Sequence, residues 1–578
     1  MNMKHNKYII GVMAAAGLLA ASCTDFSDYN ESYTSGSSES KLTLWENIQS
    51  NGNISQFAEL VKKAGLDKEL ASSRYHTVWA PLNDTFDEDY SLYSKSDSAT
   101  LAYKFVQSHI ANFGYTASGA VSEKVHTLNE KSFDFAGNGS YTFDENVLQS
   151  VNNPSINGML HTMTGSAKFL PNIYEYIFEA EGSDSVKNFF KKYEIKTINL
   201  SKSVEGAIVD GVQTYLDTVM DVSNTMTNRL RAYVQREDSN YTMMLPTDAA
   251  YEAAYNRVKK YYTYGASTRF QNLGAIDNSE KTQTVDAEYL GDSLTRYTIA
   301  RSLFFNNNST SNLWLQGRFN PRWPVDTIWT TSGTYYSNGP EVKELVYDSV
   351  RQSNGRVWMV DTLAHYSWDH WCPVITISPT SASSRALTQN CSPVAVRVNE
   401  NELDKTKVGK NRWGEYEGFS YLDCLVTGDK VAPQLYFYIR GTLSTAYNVY
   451  VVTVPANIKE GSTETPKQYK LEVNLHYSSA DGKSMLKKEF GREFITDSTR
   501  VDTLMVGTID FPIAYSQIPV SGADNVYPYI HIRSRRSTLR NANGEWDMFD
   551  NRLRIAAVIL RPVEYDEYMN AFNKPEDE

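Results

Sequence analysis

The densest group of side chains able to do chemistry lies between residues 365 and 371. His365, Asp369 and His370 occur there beside Trp368 and Trp371. Imidazole and carboxylate groups coordinate zinc, but this spacing matches none of the usual ligand pairs. The chain also lacks a Gly-x-Ser-x-Gly elbow, a His-Glu-x-x-His pair, a phosphate-binding glycine loop and an EF-hand calcium loop. We therefore predict no metal site, no cofactor and no catalytic residue.

A second group combines aromatic rings with side-chain amides. Six of the ten Trp residues fall between residues 314 and 371. Sugar rings present apolar C–H faces, so Trp and Tyr can stack on them while Asn binds the hydroxyls, and such residues often lie on loops. The sequence predicts a ligand-binding segment made by Asn306, Asn307, Trp314, Trp323, Trp329, Tyr335 and Tyr336. The alternative is that these rings cover a small core of their own.

Composition narrows the class of protein that must position these residues. A chain of 578 residues with 41% hydrophobic residues should form about three to four domains with sizeable cores. The net charge of −12 leaves no general basic surface to neutralise phosphates. We therefore predict that the protein does not bind nucleic acid.

Residues 1–22 have the features of a lipoprotein signal peptide. Lys4 and Lys7 precede an apolar stretch, residues 8–21, that is too short to span a bilayer. Small residues then precede Cys23, as in a bacterial lipobox. We expect cleavage before Cys23 and lipidation of its thiol, with the Ser- and acid-rich segment 23–40 acting as a flexible tether.

The tether also suggests where the protein resides. Asp25, Asp28 and Glu31 follow soon after the lipidated residue and resemble an export signal of some Gram-negative lipoproteins. The expected location is the outer membrane, with the lipid as anchor and the protein facing the cell exterior. No later apolar stretch has the length of a transmembrane helix.

Two parts of the chain repeat one pattern. Residues 77–86 (TVWAPLNDTF) and 242–251 (TMMLPTDAAY) each have Thr, an apolar strand, Pro, an Asx turn and an aromatic residue. An Asn-Gly pair followed by an apolar strand comes later in both copies, at residues 157–163 and 354–363. This two-part pattern resembles the fasciclin domain. The resemblance covers residues 41–180 and 195–375 and implies two tandem α+β modules, in a family made up mainly of adhesion and binding modules.

The repeated pattern also predicts local roles and a difference between the copies. Pro should end the strand, the Asx side chain should cap the following helix, and the aromatic residue should anchor the turn in the core. The stretch from Pro to Asn is longer in the second copy, Pro246 to Asn354, than in the first, Pro81 to Asn157. We therefore expect an insertion in the second copy, and its Trp-rich content places it at residues 304–350.

The last third of the chain differs from the two modules in its residue pattern. Short alternating strands separated by turns, without a convincing helix, predict a β-sandwich or jelly roll over residues 380–565, followed by a frayed tail at 566–578. Three cysteines, Cys372, Cys391 and Cys424, leave at least one thiol unpaired within the chain, and their spacing does not choose a pair.

These observations favour a non-enzymatic surface lipoprotein. Lipoproteins of this resemblance are often associated with SusC/SusD-like uptake systems, which implies binding of an extracellular glycan or peptide, or organisation of an uptake complex. One alternative is adhesion to host matrix or neighbouring cells. A second is a hydrolase in the β-sandwich, because two catalytic carboxylates can lie far apart along a chain.

Overall fold

The computed structural model describes residues 41–572, apart from 201–202, 210–211, 218–219, 267–269, 272–283, 318–326, 364, 412–413, 521–525 and 540–541. The chain divides into two compact units, Met1–Pro171 and Asn172–Glu578. The first unit holds one α+β module. The second holds another α+β module followed by an all-β part.

The first unit is built on one sheet of seven strands. Its elements are α1 (Leu44–Ser50), α2 (Ser55–Lys63), α3 (Asp67–Leu70), β1 (His76–Pro81), α4 (Asp87–Tyr93), α5 (Ser98–Lys104), β2 (Ile110–Asn112), β3 (Ala120–His126), β4 (Ser132–Asn138), β5 (Tyr141–Phe143), β6 (Asn146–Ser155) and β7 (Gly158–Met163). The strand order is β2-β1-β7-β6-β5-β4-β3, with β1 and β7 parallel. A bridge from Ala111 to Thr127 joins β2 to the end of β3, so the sheet closes on itself.

Strand β1 lies at the centre of this unit and is buried along its whole length. On one side of the strand, Val78 packs with residues of α1, α2 and α5. On the other side, Trp79 packs with aromatic residues of β4 and β5. Burial on both faces explains why the strand is a continuous apolar run rather than an alternating one.

The second module has the same core order of elements. They are α6 (Ile173–Glu179), α7 (Asp184–Lys191), β8 (Glu194–Ile198), β9 (Val204–Val209), β10 (Val212–Asp217), β11 (Met220–Asn224), α8 (Thr225–Arg229), β12 (Tyr241–Pro246), α9 (Asp248–Lys259), β13 (Phe270–Gln271), β14 (Thr284–Val285), α10 (Ala287–Ala300), β15 (Phe304–Asn306), β16 (Ile328–Trp329), β17 (Tyr335–Tyr336), α11 (Gly339–Glu344), β18 (Val346–Gln352), β19 (Gly355–Val360) and α12 (Ser367–His370). Its main sheet runs β15-β12-β19-β18, with β12 and β19 parallel, which matches β2-β1-β7-β6.

In both modules an asparagine side chain links the first helix to a second segment of backbone, and we call this contact the asparagine joint. In the first, the Leu44 N–H donates to Asn157 Oδ1 (2.7 Å), and Asn157 Nδ2 donates to a backbone carbonyl (2.9 Å). In the second, the Ile173 N–H donates to Asn354 Oδ1 (2.9 Å), and Asn354 Nδ2 donates to a backbone carbonyl (2.7 Å). Helix α6 therefore has the role of α1, although it precedes residue 195, where we expected the second module to begin.

The glycine after each asparagine is required by a close backbone approach. A Cβ at Gly158 would lie 2.3 Å from the His76 carbonyl oxygen, and one at Gly355 would lie 1.9 Å from the Tyr241 carbonyl oxygen. Gly355 also has a φ of +145°. The Asn-Gly pair thus fixes how β7 and β19 start beside β1 and β12.

The Asx residues of the repeat cap the preceding helix, so the prediction that they cap the following helix was wrong. Asn83 Oδ1 accepts from the Gln56 N–H of α2 (3.1 Å). Asp248 accepts from the Ser185 N–H of α7 (2.6 Å). In both modules the end of the strand lies against the start of the earlier helix, so the Asx side chain reaches the unpaired N–H groups of that helix. The helix after β12 is instead capped by Thr247.

The extra residues of the second module do not lie at 304–350, so that predicted location was wrong. The segment between β12 and β15 covers residues 247–303, whereas the much shorter segment 82–109 separates β1 from β2. By contrast, the segment 307–354 between β15 and β19 is close in length to its counterpart 113–157 in the first module. The Trp-rich content of 304–350 drew attention to the wrong segment, because most of the extra residues between Pro246 and Asn354 lie at 260–286, between α9 and α10, where the first module has only 94–97 between α4 and α5.

The all-β part is a sandwich of two sheets, which confirms the predicted fold class of tandem α+β modules followed by a β-sandwich. Its strands are β20 (Ile375–Ile377), β21 (Arg385–Gln389), β22 (Cys391–Val398), β23 (Phe419–Val426), β24 (Gln434–Tyr438), β25 (Ala446–Thr453), β26 (Gln468–Ser478), β27 (Met485–Ile495), β28 (Asp502–Asp510), β29 (Tyr529–Ser534), β30 (Phe549–Asp550) and β31 (Leu553–Pro562). One sheet runs β22-β23-β31-β25-β28 with β20 on β31, and the other runs β21-β24-β29-β26-β27 with β30 on β26. Residues such as Phe437, Val451 and Leu560 from both sheets share one core.

Two helices and one disulfide complete this part. Helix α13 (Glu545–Met548) is short, and α14 (Val563–Phe572) follows β31 directly. Residues 566–572 of the predicted frayed tail 566–578 are therefore helical. Asp566 of α14 accepts hydrogen bonds from Asn448 and Tyr450 of β25. The disulfide joins Cys391 to Cys424, while Cys372 is a buried free thiol.

Candidate functional site

In the first unit, one face of the sheet around β1 and β7 is closed by packed aromatic rings. Trp79 of β1 stacks on Phe143 of β5 with ring centroids 4.2 Å apart, and Phe135 of β4 lies 5.7 Å away. His161 of β7 is fully buried in the same cluster. Strands β3–β5 thus cover this face and bury its side chains.

The corresponding face of the second module is open. The strands described between β15 and β18 are β16 and β17, which pair with each other and do not extend the sheet beyond β18. A cleft of about 770 Å³ lies on this face. Its lining includes Asn240, Thr242, Asn307, Leu315, Lys343, Val346, Tyr347, Asp348, Ser349, Arg351, Arg356 and Trp358.

The strand register places the cleft residues side by side. Thr242 of β12 pairs with Arg356 of β19, which pairs with Arg351 of β18. One step along the same face, Trp358 of β19 pairs with Ser349 of β18. Because side chains two residues apart point to the same face of a strand, these five form one continuous surface.

The register also shows what changed between the modules. His76 pairs with Gly158 in the first module, and Tyr241 pairs with Gly355 in the second. Counting from those pairs, Trp358 stands where the first module has the buried His161. Trp358 is 7% exposed and contacts Phe305, so it forms the floor of the cleft.

The cleft is basic although the chain as a whole is acidic. Lys343, Arg351 and Arg356 line it, and Asp348 is the one acidic side chain among the described lining residues. Within the described part of the chain, none of these three cations forms an ion pair with a carboxylate. Arg351 and Arg356 face each other directly across the ladder, an arrangement of like charges that destabilises a sheet.

Hydrogen bonds organise the two ends of the cleft. Thr242 Oγ1 donates to Asn307 Oδ1 (3.0 Å), and Asn307 Nδ2 donates to Asn240 Oδ1 (2.9 Å). At the other end Arg356 Nη1 donates to Ser349 Oγ (3.1 Å). No described residue accepts from the Asn240 amide nitrogen or from the remaining guanidinium N–H groups, so these donors can serve a bound molecule.

The predicted aromatic segment contributes little to this surface. Asn307 lines the cleft, whereas Asn306 accepts from the Asn308 N–H (2.9 Å) within its own turn. Trp329 and Tyr335 pack against each other at 5.1 Å on the β16–β17 hairpin. Trp323 and the side chain of Trp314 lie outside the described residues.

Tyr336 is a core residue that is not among the described lining residues of this cleft, so its predicted role in ligand binding stays a prediction. It is 1% exposed, and its hydroxyl donates to the Ser302 carbonyl (3.0 Å). The two arginines and Lys343 were missed by the sequence reasoning. The one signal available was the position of Arg356 in the strand after the Asn-Gly pair, where an arginine faces either solvent or a ligand.

The cluster of His365, Asp369 and His370 forms a second, smaller polar region. The two imidazole centroids are 4.4 Å apart, and a cavity of about 370 Å³ adjoins His365 and Asp369. Burial lowers the pKa of His370 to about 3 and raises the pKa of Asp369 to about 6. No group of three candidate metal ligands occurs in the part of the chain that the structure describes.

The proposed anchor lies outside the described residues. Neither Cys23 nor the tether 23–40 belongs to them. Among residues that are described, no helix is both long enough and apolar enough to cross a membrane. The lipid anchor and the outer-membrane location therefore stay predictions.

The strand order and the asparagine joint shared by both modules define the class of protein. It has two tandem α+β modules of one type, the second with an open basic cleft, followed by a β-sandwich. Residues 52–164 match the family model of the fasciclin domain. The first unit therefore carries a fasciclin domain, which confirms that part of the resemblance. Fasciclin domains are generally adhesion or ligand-binding modules, so the broad role of this class is binding.

Among solved structures, the chain is similar to a FAS1 domain pair from the insect cell adhesion molecule fasciclin I, with 12% identity over 55% of this chain and 99% of that chain and a TM-score of 0.20. It is also similar to a GH26-CBM35 β-(1,4)-mannanase from Podospora anserina, with 11% identity over 33% of this chain and 27% of that chain and a TM-score of 0.15. At such TM-scores these likenesses say nothing about ligand or activity. No curated protein sequence matches the chain.

Proposed function

We propose that the protein is a non-enzymatic lipoprotein of the outer-membrane surface that binds an extracellular ligand, a glycan or a peptide, in the cleft of its second module. One observation carries the proposal. The face that β3–β5 close in the first unit is an open, polar cleft of about 770 Å³ in the second module. A cleft of that size is typical of a small-ligand site.

The chemistry of the lining supports binding rather than catalysis. Among the described lining residues the cleft holds one carboxylate, Asp348, and its Oδ1 accepts from the Ser349 N–H (2.7 Å). Hydrolysis of a glycoside by an enzyme needs two carboxyl groups in most families. The described lining instead offers amides, hydroxyls and guanidinium groups, which bind ligands without reacting with them.

The anchor and the partners belong to the same proposal. Lipid at Cys23 and a tether of residues 23–40 would hold the binding module outside the membrane, within reach of extracellular molecules. Delivery of the bound ligand to a SusC/SusD-like transporter is the partnership that we propose. Radiolabelled palmitate should label the wild-type protein in its native host, and Cys23→Ala should abolish the label.

A blocking substitution tests the role of the cleft without assuming the ligand class. Ser349→Trp adds a large side chain to the exposed cleft face, while Ser484→Trp adds the same side chain to an exposed turn of the sandwich. Both full-length variants and the wild type would be applied to a glycan array and a random heptapeptide array. We expect Ser349→Trp to lose the retained probes and Ser484→Trp to keep them. Equal retention by all three proteins would refute the proposal.

A further inference from the structure

Three cations line the cleft, and their charge is not balanced within the described residues. Lys343, Arg351 and Arg356 have no carboxylate partner there, and Asp348 is a single opposing charge. Unpaired surface cations are common, but directly opposed arginines in a sheet ladder cost stability. An anion bound between Arg351 and Arg356 would remove that repulsion.

The rest of the lining combines amides and hydroxyls with apolar side chains, which are Leu315, Val346, Tyr347 and Trp358. The chain of hydrogen bonds from Thr242 through Asn307 to Asn240 leaves the Asn240 amide nitrogen as a donor. Side-chain amides and hydroxyls suit a ligand that carries many hydroxyl groups.

Aromatic side chains border the same surface. Tyr347 is 58% exposed at the rim, so one face of its ring is open to a sugar. Trp358 is 7% exposed and presents only part of its ring from the floor. The stacking surface therefore lies at the rim, and the charged groups lie on the sheet.

We propose that the cleft of the second module binds an anionic oligosaccharide, whose carboxylate or sulfate lies between Arg351 and Arg356 while its hydroxyls meet Asn240 and Asn307. This inference rests on the proposed binding function and adds the chemical class of the ligand. Lys343 adds to the positive potential of the site, which attracts an acidic chain despite the protein's net charge of −12.

Paired ligands provide the test. The full-length protein would be titrated calorimetrically with tetragalacturonate and its methyl ester, and with a sulfated chondroitin tetrasaccharide and its desulfated, carboxyl-reduced form. We expect the acidic member of at least one pair to bind at least about tenfold more tightly than its neutral counterpart, with affinity falling as salt rises. A preference within the first pair identifies a carboxylate as the recognised group, and the second pair extends the test to a chain that carries both carboxylates and sulfates.

Variants then connect the binding to the two arginines. Arg351→Ala/Arg356→Ala should weaken binding of the acidic ligand at least about tenfold, because two charge-assisted hydrogen bonds are lost. Arg351→Lys/Arg356→Lys should restore part of it, since the charge returns without the planar fork. Lys430→Ala/Lys488→Ala removes two exposed cations of the sandwich and should leave affinity unchanged.

The outcomes separate this inference from the proposed function. If neither acidic member binds, or if neutral members bind as well as acidic ones, the anionic-ligand inference is overturned. Unchanged affinity in the double alanine variant would overturn it too. Where a neutral glycan or a peptide on the arrays is lost with Ser349→Trp, the cleft keeps its binding function and only its ligand class is wrong. Where no probe on either array depends on the cleft, both proposals fail.

Discussion

The two modules place the same strand register beneath two different surfaces. In the first unit, Trp79 and His161 are buried under Phe135 and Phe143 of strands β4 and β5. In the second module, the strands that would correspond to β3–β5 are absent from the described sheet, and Trp358 forms the floor of a cleft. The strand register is therefore independent of the residues that cover the sheet.

The reason lies in where each feature is fixed. The Asn-Gly joint holds the start of β7 or β19 beside β1 or β12 through hydrogen bonds to the first helix of the module. Those contacts lie at one end of the ladder, away from its covered face. The face that β3–β5 cover in the first unit was therefore free to become polar in the second module without a change of register.

Acidification should have a large effect on the stability of the first unit. Burial lowers the pKa values of His109 and His161 to about 4, below the free value of about 6.5. The unfolded chain therefore takes up these protons first, so stability is complete above about pH 6.5 and falls as the pH drops towards 4. Each histidine should account for roughly 3 kcal/mol. Amide exchange of β7, corrected for the intrinsic rate, measures the loss.

The corresponding ladder position of the second module does not titrate, because it carries Trp358. That module has its own histidines after the strand, the buried His370 and the partly buried His365, and burial lowers the pKa values of both, so acidification should destabilise it as well. Protection of β7 that stays constant from pH 7 to pH 4.5 would show that the buried imidazoles of the first unit do not limit its stability.

Removing a ring from the cover of the first unit should have the next largest effect. Phe143→Ala deletes a fully buried ring that stacks on Trp79 and should lower the free energy of unfolding by about 3–5 kcal/mol. Trp358→Ala should cost less, because the space it leaves borders an open cleft that water can enter. Phe113→Ala, at a residue that is 66% exposed, is the control. Denaturant titration followed by amide exchange reports each unit, and equal losses from Phe143→Ala and Trp358→Ala would contradict the contrast.

The same type of substitution, Gly to Ala directly after the asparagine of the joint, should affect both modules alike. Gly158→Ala and Gly355→Ala each bring a Cβ too close to a backbone oxygen, and each should cost about 1–3 kcal/mol or more. Gly52→Ala and Gly428→Ala add a methyl group to open space and serve as controls. Thermal unfolding of the four variants compares them. A module that tolerates its substitution would not depend on the joint that we assign to it.

The smallest expected effect is a gain in stability. Arg351→Ala removes the like-charge pair with Arg356 and should raise the free energy of unfolding of the second unit by about 0.2–1 kcal/mol. Arg351→Lys keeps the charge and should give no gain. The difference between the two variants in denaturant midpoint is the measurement. A loss of stability in Arg351→Ala would mean that contacts of the Arg351 side chain stabilise the second unit by more than its repulsion with Arg356 destabilises it.

Much of the fold was predictable because local sequence specifies it. Pro81 and Pro246 end their strands, and Phe86 and Tyr251 are buried as expected. The alternation of residues 435–438 and 529–532 predicts the sandwich, since a half-buried strand must alternate. His109 is a hydrogen-bonded core residue, as is usual for a lone histidine on an apolar face.

The site was not predictable in the same way. Aromatic composition pointed to 304–350, but Tyr336 is needed by the core and the extra residues lie between β12 and β15. The Asx side chains cap the earlier helix because only the folded module brings Asn83 to Gln56 and Asp248 to Ser185. A spacing in sequence cannot show which of two helix ends lies nearer in space.

The sequence by itself therefore determined the two modules, their joints and the sandwich, because strand endings, turn residues and alternation act over short stretches of chain. The tertiary structure decided which face stayed uncovered. Arg351 and Arg356 are close in sequence, yet their meeting across the ladder depends on the turn between β18 and β19. They share the cleft with Asn307 because β15 and β19 both pair with β12.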